Sequence, residues 1–244
     1  YKNLVKKNFD NKGLVSLNFK IDEIRKIGVN NLILIDYDEN FSNLKPNDFL
    51  QRLSRNFRIN EFIIGKDFSF GKDRAGNIET LLQNNFKIEI IEPFTIDNKY
   101  ISASLIRTLI LDGEIEQANN LLGRLFSIDG IVRKGKQLGR KLGFPTMNIK
   151  NESILYPLEG SYATITSIKD KKYYSMTYIG DQLIESNLFD YNIFHYNFKI
   201  KVDFLRKIRD NRSFDNLDEL KSQLSADRTV VKKYFMSNYD DMTG

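Results

Sequence analysis

The sequence has 244 residues, enough for one large domain or two ordinary ones. It is 41% hydrophobic and 28% charged, with net charge +5 and no cysteine, which excludes disulfides and thiolate metal sites. No apolar run reaches the ~18 residues that span a bilayer, no signal peptide opens the chain, and the mild basic bias suits phosphate-bearing ligands better than a grip on nucleic acid.

In chain order, Val15–Phe19 reads as a strand that runs straight into a helix over Ile21–Ile27. Asn31–Tyr37 (NLILIDY) is a short aliphatic run of high strand propensity. Lys45–Phe57 has Pro46 near its start and apolar residues at Phe49, Leu50 and Leu53, the pattern of a helix. Glu61–Gly65 and Phe86–Phe94 read as two further buried strands. Strands alternating with helices imply a parallel sheet with crossover helices, which takes ligands at the carboxyl ends of its strands. Ser102 or Ser104 can cap a helix running to Gly113, and Glu114–Leu122 forms another, with Gly123 as its C-cap.

Beyond Gly123 the pattern changes. Arg124–Val132, Ser161–Ile168 and Lys199–Phe204 alternate apolar and polar residues between glycine-rich turns, as in an antiparallel barrel or sandwich. Leu217–Phe235 has helical spacing. A boundary at Gly123 gives an α/β domain over 1–123 and a β domain with a terminal helix over 124–244.

The most informative stretch is 130–148, GIVRKGKQLGRKLGFPTMN. Gly130, Gly135, Gly139 and Gly143 punctuate a basic segment carrying Lys134, Lys136, Arg140 and Lys141. Glycines let a backbone approach a ligand, and consecutive N–H groups can hold phosphate oxygens. An ordinary hairpin turn is the simpler reading of such a loop taken alone. Thr146 and Asn148 are two apart, so on a strand they share a face and offer a hydroxyl and an amide oxygen, hard ligands suited to Mg²⁺ carrying nucleotide phosphates.

The segment 139–148, GRKLGFPTMN, resembles the signature G-[KR]-x-L-G-[FY]-P-T-x-N of the riboflavin kinase family, with Met147 where the family usually has alanine. Tyr156–Ala163 and Glu185–Asp190 (ESNLFD) resemble two further segments of that family. The resemblance implies ATP and phosphate contacts at Gly135, Lys136, Gly139, Gly143, Phe144, Pro145, Thr146 and Asn148, with Thr146 and Asn148 holding Mg²⁺. It implies Glu185 as catalytic base, with Asp190 a rival, and Arg209 near the flavin, with Arg206 and Lys207 beside it. A positioned carboxylate suits the chemistry, because a primary alcohol is a poor nucleophile at neutral pH.

Upstream, Gly65–Gly76 resembles the G-x-D-F-x-F-G-x-x-R-x-G motif of prokaryotic FAD synthetases, and Ile101–Arg107 resembles their I-S-S-T-x-I-R motif. This half then implies a Rossmann-like FMN adenylyltransferase whose site includes Gly65, Asp67, Phe68, Phe70, Arg74, Ser102, Ser104 and Arg107. Its H-x-G-H loop is absent from the 244 residues, whose one histidine, His195, lies in the second half and reads as a barrel-strand residue. Tyr1 in place of methionine implies residues before it, and shortened connections imply breaks near Phe19–Lys20 and Gly180–Ile184. The expectation is a cytoplasmic bifunctional enzyme. It uses Mg²⁺, or Mn²⁺ in its place, with ATP as co-substrate and riboflavin, FMN and FAD as its flavins. It has no nucleic-acid or membrane partner. A kinase with a vestigial first half and a base-stacking nucleic-acid barrel are the competing readings.

Overall fold

The structure is a computed structural model and describes residues 12–96, 99–181, 183–191 and 196–239. Its contacts divide it into two compact units. One is Ile27–Ile101; the other joins the segment up to Lys26 with everything from Ser102 onward.

Helix α1 (Leu17–Lys26) begins where the Ser16 hydroxyl accepts the Phe19 N–H at 3.3 Å, and Lys20 N–H reaches Ser16 C=O at 3.0 Å. The expected strand over Val15–Phe19 is therefore not formed, and Phe19 and Lys20 lie within the helix. A serine positioned to cap decides the matter here, since Val15–Phe19 enters no ladder.

The Ile27–Ile101 unit opens with Asn31–Tyr37, which joins no ladder and leaves Leu34 60% exposed. The strand expected there is missing because propensity describes a pleated, half-buried surface and no neighbouring strand supplies one. Helix α2 (Glu39–Ser42) is capped by Asp38, which accepts Phe41 N–H at 2.7 Å. Helix α3 (Pro46–Asn56) carries its proline in the first turn, where a missing N–H costs nothing. Strand β1 (Glu61–Gly65) is followed by α4 (Ile78–Gln83), held by a capping box between Asn77 and Thr80. Strand β2 (Lys87–Ile91) then pairs parallel with β1, Ile64 opposite Ile90, with α4 as the crossover. Strands β3 (Thr95–Ile96) and β4 (Lys99–Tyr100) close a short antiparallel pair. Leu50, Ile64, Phe70 and Leu81 form the core of this unit.

In the other unit, Ser102 caps α5 (Ala103–Leu111), accepting Leu105 N–H at 3.1 Å. Helix α6 (Ile115–Leu122) ends at Gly123, whose φ of +64° is the left-handed conformation that a C-cap glycine supplies. Asn119 ties α6 to the sheet, accepting Phe126 N–H at 2.7 Å and donating to Phe204 C=O at 2.9 Å.

The chain then forms β5 (Phe126–Arg133), the single turn α7 (Leu138–Lys141), β6 (Met147–Ile149), β7 (Gly160–Ile168), β8 (Lys171–Gly180), β9 (Leu183–Leu188), β10 (Lys199–Asp210) and α8 (Leu217–Asn238). The six strands close an antiparallel barrel in the order β10-β5-β6-β9-β8-β7. Of the two expected all-β forms, barrel and sandwich, the barrel is realised. Gly180 pairs with Leu183, and the connection between them, near which a break was expected, includes residue 182, which lies outside the described residues.

Alternation sorts the strand residues into two faces. One holds Phe126, Tyr162 and Phe204, all fully buried, beside five buried hydroxyls on Thr164, Thr166, Ser175, Thr177 and Ser186. These hydroxyls satisfy one another at 2.7 to 2.9 Å. The opposite face carries Ala163, Ile165, Met176 and Leu205, which α8 covers with Val231 and Phe235. Phe235 stacks on Tyr174 with ring centres 4.0 Å apart.

Candidate active site

A cavity of about 290 Å³ is bounded by the α7 loop, strands β6, β7, β8 and β9, the end of β10 and the first half of α8. Glu185, Thr146, Asn148, Lys136, Gly139, Phe144 and Arg209 all line it. The sequence places these residues on three separate segments, and the barrel brings them together.

The ladder explains the convergence. Asn148 pairs directly with Glu185 across β6 and β9, so the two side chains leave the same face. Thr146 precedes Asn148 by two and shares that face, with its hydroxyl near enough to Glu185 to favour the ionised carboxyl. Met147 points to the opposite face, is 1% exposed, and pairs with the buried Ser186, so its place in the motif leaves the cavity untouched. Burial pushes the Glu185 carboxyl above its ordinary range, while the Lys136 ammonium and the Thr146 hydroxyl pull it part of the way back.

The glycine loop packs directly against these groups. A Cβ on Gly135 would stand 2.5 Å from the Asn148 side chain, and one on Gly139 would collide with Phe144 C=O. Phe144 N–H donates to Gly139 C=O at 2.8 Å, and Gly143 sits at φ +88°, so the loop folds back before Pro145. Asn148 Oδ1 is buried and has no hydrogen-bond partner.

Arg209 is separated from its basic neighbours by the strand's geometry. Its guanidinium donates to both Asp227 oxygens, Nε and Nη2 each at 2.8 Å from Oδ2, and Gln223 Nε2 braces Oδ1 at 2.7 Å. Arg206 is exposed beside Glu116 at 3.6 Å, Lys207 bonds Asp210, and neither lines the cavity. Asp190 is exposed and also stands outside it. His195 lies outside the described residues.

Among the polar cavity residues not singled out from the sequence are Asn187 and Asp227. Asn187 stands two beyond Glu185 and so shares its face, a signal that period-two reading offers. Asp227 sits in α8, 18 residues after Arg209, with nothing local to mark it.

The residues expected for the second site fall in both compact units. Gly65 ends β1, and its carbonyl accepts Phe68 N–H at 3.0 Å in the turn that carries Asp67. Phe68 and Phe70 stack at 5.5 Å and pack into the apolar core, and Phe70 bridges to Gly76. Arg74 adopts φ +60° after the Gly71 turn. Ser102, Ser104 and Arg107 lie at the start of α5 in the other unit.

Comparison with known proteins accords with both halves. The Riboflavin kinase family model matches residues 122–235 and the FAD synthetase family model matches residues 2–105. The chain is 37% identical to a bifunctional riboflavin kinase/FMN adenylyltransferase of Buchnera aphidicola, covering 92% of this chain and 77% of that protein. A Bacillus subtilis protein of the same description is 32% identical, over 91% of this chain and 75% of that one. A crystal structure described as a macrolide-efflux protein from Streptococcus pneumoniae superposes with a TM-score of 0.82 at 28% identity, covering 95% of this chain and 78% of that one. Among the described residues, no helix is long and apolar enough to cross a membrane.

Proposed function

The chain belongs to the family of bifunctional riboflavin kinase/FMN adenylyltransferases, so its reactions are the phosphorylation of riboflavin to FMN by ATP and the adenylylation of FMN to FAD, and we propose that the first takes place in the Glu185 cavity. The observation that carries this is the pairing of a half-buried carboxylate with two hard oxygen donors on one strand face.

The fit to Mg²⁺ rests on the orphaned Asn148 Oδ1 beside the Thr146 hydroxyl, both hard donors. When bound with ATP, the ion neutralises charge on the transferring phosphoryl group. Among the described residues no cluster of three acidic or histidine side chains offers an alternative metal site. The nucleotide phosphates would supply further ligands to the ion.

In this reading Glu185 accepts the proton of the terminal ribityl alcohol as that oxygen attacks the γ-phosphorus and the bond from that phosphorus to the bridging oxygen breaks, releasing ADP. Backbone N–H groups of the Gly135–Gly143 loop and the Lys136 ammonium hold the phosphates. Pro145 fixes the chain ahead of Thr146. Phe214, Leu220 and Leu224 form an apolar wall suited to the flavin ring, and Arg209, held by Asp227, stands at its edge. Gly65, Asp67, Phe68, Phe70, Arg74, Ser102, Ser104 and Arg107 are assigned to adenylylation, and the functional boundary to Gly123. Both reactions draw on ATP, which favours a cytoplasmic location.

The test is Glu185→Gln. Riboflavin phosphorylation should fall at least ~100-fold, the scale of a lost general base. Undiminished turnover would remove Glu185 from the mechanism.

A further inference from the structure

Asn187 lies two residues beyond Glu185 on β9, so its side chain leaves the same face about 7 Å farther along the strand. It is 2% exposed and lines the cavity. Only half of its amide is engaged. Nδ2 donates to Pro145 C=O at 2.7 Å, and because that carbonyl only accepts, the bond fixes which amide atom faces which way. Oδ1 is left buried with no partner. Such an acceptor is rarely abandoned in a folded protein, and one on the wall of a cavity points to a donor on the ligand.

The position selects the ligand. On one side of Asn187 stand Glu185 and Thr146, where the reacting alcohol and the phosphates meet in the reading above. Met176 pairs with it across β8, and Leu224 completes the apolar side of the cavity. A flavin whose terminal alcohol reaches Glu185 has the linker to its ring within reach of the next side chain on that strand face, Asn187. In riboflavin that linker carries inner hydroxyls, each a donor.

We propose that Asn187 Oδ1 accepts a hydrogen bond from an inner ribityl hydroxyl, making Asn187 a residue that selects a polyhydroxylated flavin side chain. The inference rests on the placement of the kinase reaction in this cavity. An analogue without that hydroxyl leaves the buried oxygen unpaired, which penalises its binding.

The experiment measures quenching of flavin fluorescence on binding, with riboflavin and with a flavin carrying a 5-hydroxypentyl chain, which keeps the terminal alcohol and lacks the inner hydroxyls. The wild-type protein should bind riboflavin about 10- to 100-fold more tightly. Asn187→Ala should reduce that ratio by about 10-fold, and Asn187→Leu, which fills the space without an acceptor, should do the same. Each ratio is taken within one protein, so general damage cancels. Equal binding of the two flavins by the wild type overturns the proposal without recourse to a variant. So does an unchanged ratio in the Asn187 variants, including the case where only the Mg²⁺–ATP affinity drops. Glu185→Gln separates the two ideas: full phosphorylation by that variant overturns the placement of the reaction, whereas a loss of phosphorylation with an unchanged Asn187 ratio overturns the role of Asn187 alone.

Discussion

Glu185 is asked to do two things that its surroundings set against each other. Burial raises its affinity for a proton, which suits a group that must accept one, yet the base works only when ionised. Lys136 and the Thr146 hydroxyl keep that shift in check. The sign for activity follows: the working form is lost as pH falls through a value above the ordinary glutamate range. Phosphorylation should therefore lose kcat/KM on the acid side at a higher pH than a solvent-exposed carboxylate would give. Lys136→Met removes a charge that lowers the Glu185 value, so its acid limb should move to still higher pH. A pH–rate profile of both proteins checks this, and an unshifted limb would show that Lys136 does not act on the carboxylate. For folding, the raised value means that the native state binds more protons than the unfolded chain. In the window between the ordinary and the raised value, the Glu185 contribution to stability falls as pH rises.

At the scale of elements, the site depends on β6, β9 and the glycine loop keeping register. Gly135 fits because it has no Cβ to meet Asn148. Gly135→Ala should displace that amide and raise KM for ATP several-fold, while riboflavin affinity measured by fluorescence stays the same. Helix α8 closes the other side. Phe235→Ala removes the ring stacked on Tyr174 and should cost about 3–5 kcal/mol, lowering Tm by about 10 °C in a thermal melt. Strand periodicity put Thr146 and Asn148 on one face, but it was the family resemblance that marked them and Glu185 as a site; the helices α3, α5 and α6 announced themselves by Pro46, by Ser102 or Ser104, and by Gly123. The Asp227–Arg209 pair was not legible, since its partners meet only when α8 docks on the barrel. Val15–Phe19 and Asn31–Tyr37 misled for a related reason. Their β propensity is real, but a strand exists only where a neighbour offers its ladder, and a local Ser16 cap was enough to turn the first of them into helix.

At the scale of the molecule, two reactions in series are assigned to two family segments on one chain. The polar barrel interior contributes rigidity, since its five hydroxyls bond one another and the carbonyls of Thr164 and Ser175. The carboxylate face of β9 is then set by a closed sheet that cannot slip without breaking them. The adenylylation residues share none of these elements, so damage to the Glu185 face should leave that reaction alone. The most direct measurement compares wild type with Glu185→Gln, each supplied with ATP and Mg²⁺, first with riboflavin and then with FMN, following both flavin products by chromatography. The wild type should yield FMN and then FAD from riboflavin. The variant should give neither from riboflavin, yet make FAD from supplied FMN at the wild-type rate. Wild-type FMN formation by the variant would contradict the assignment of this cavity as the kinase site.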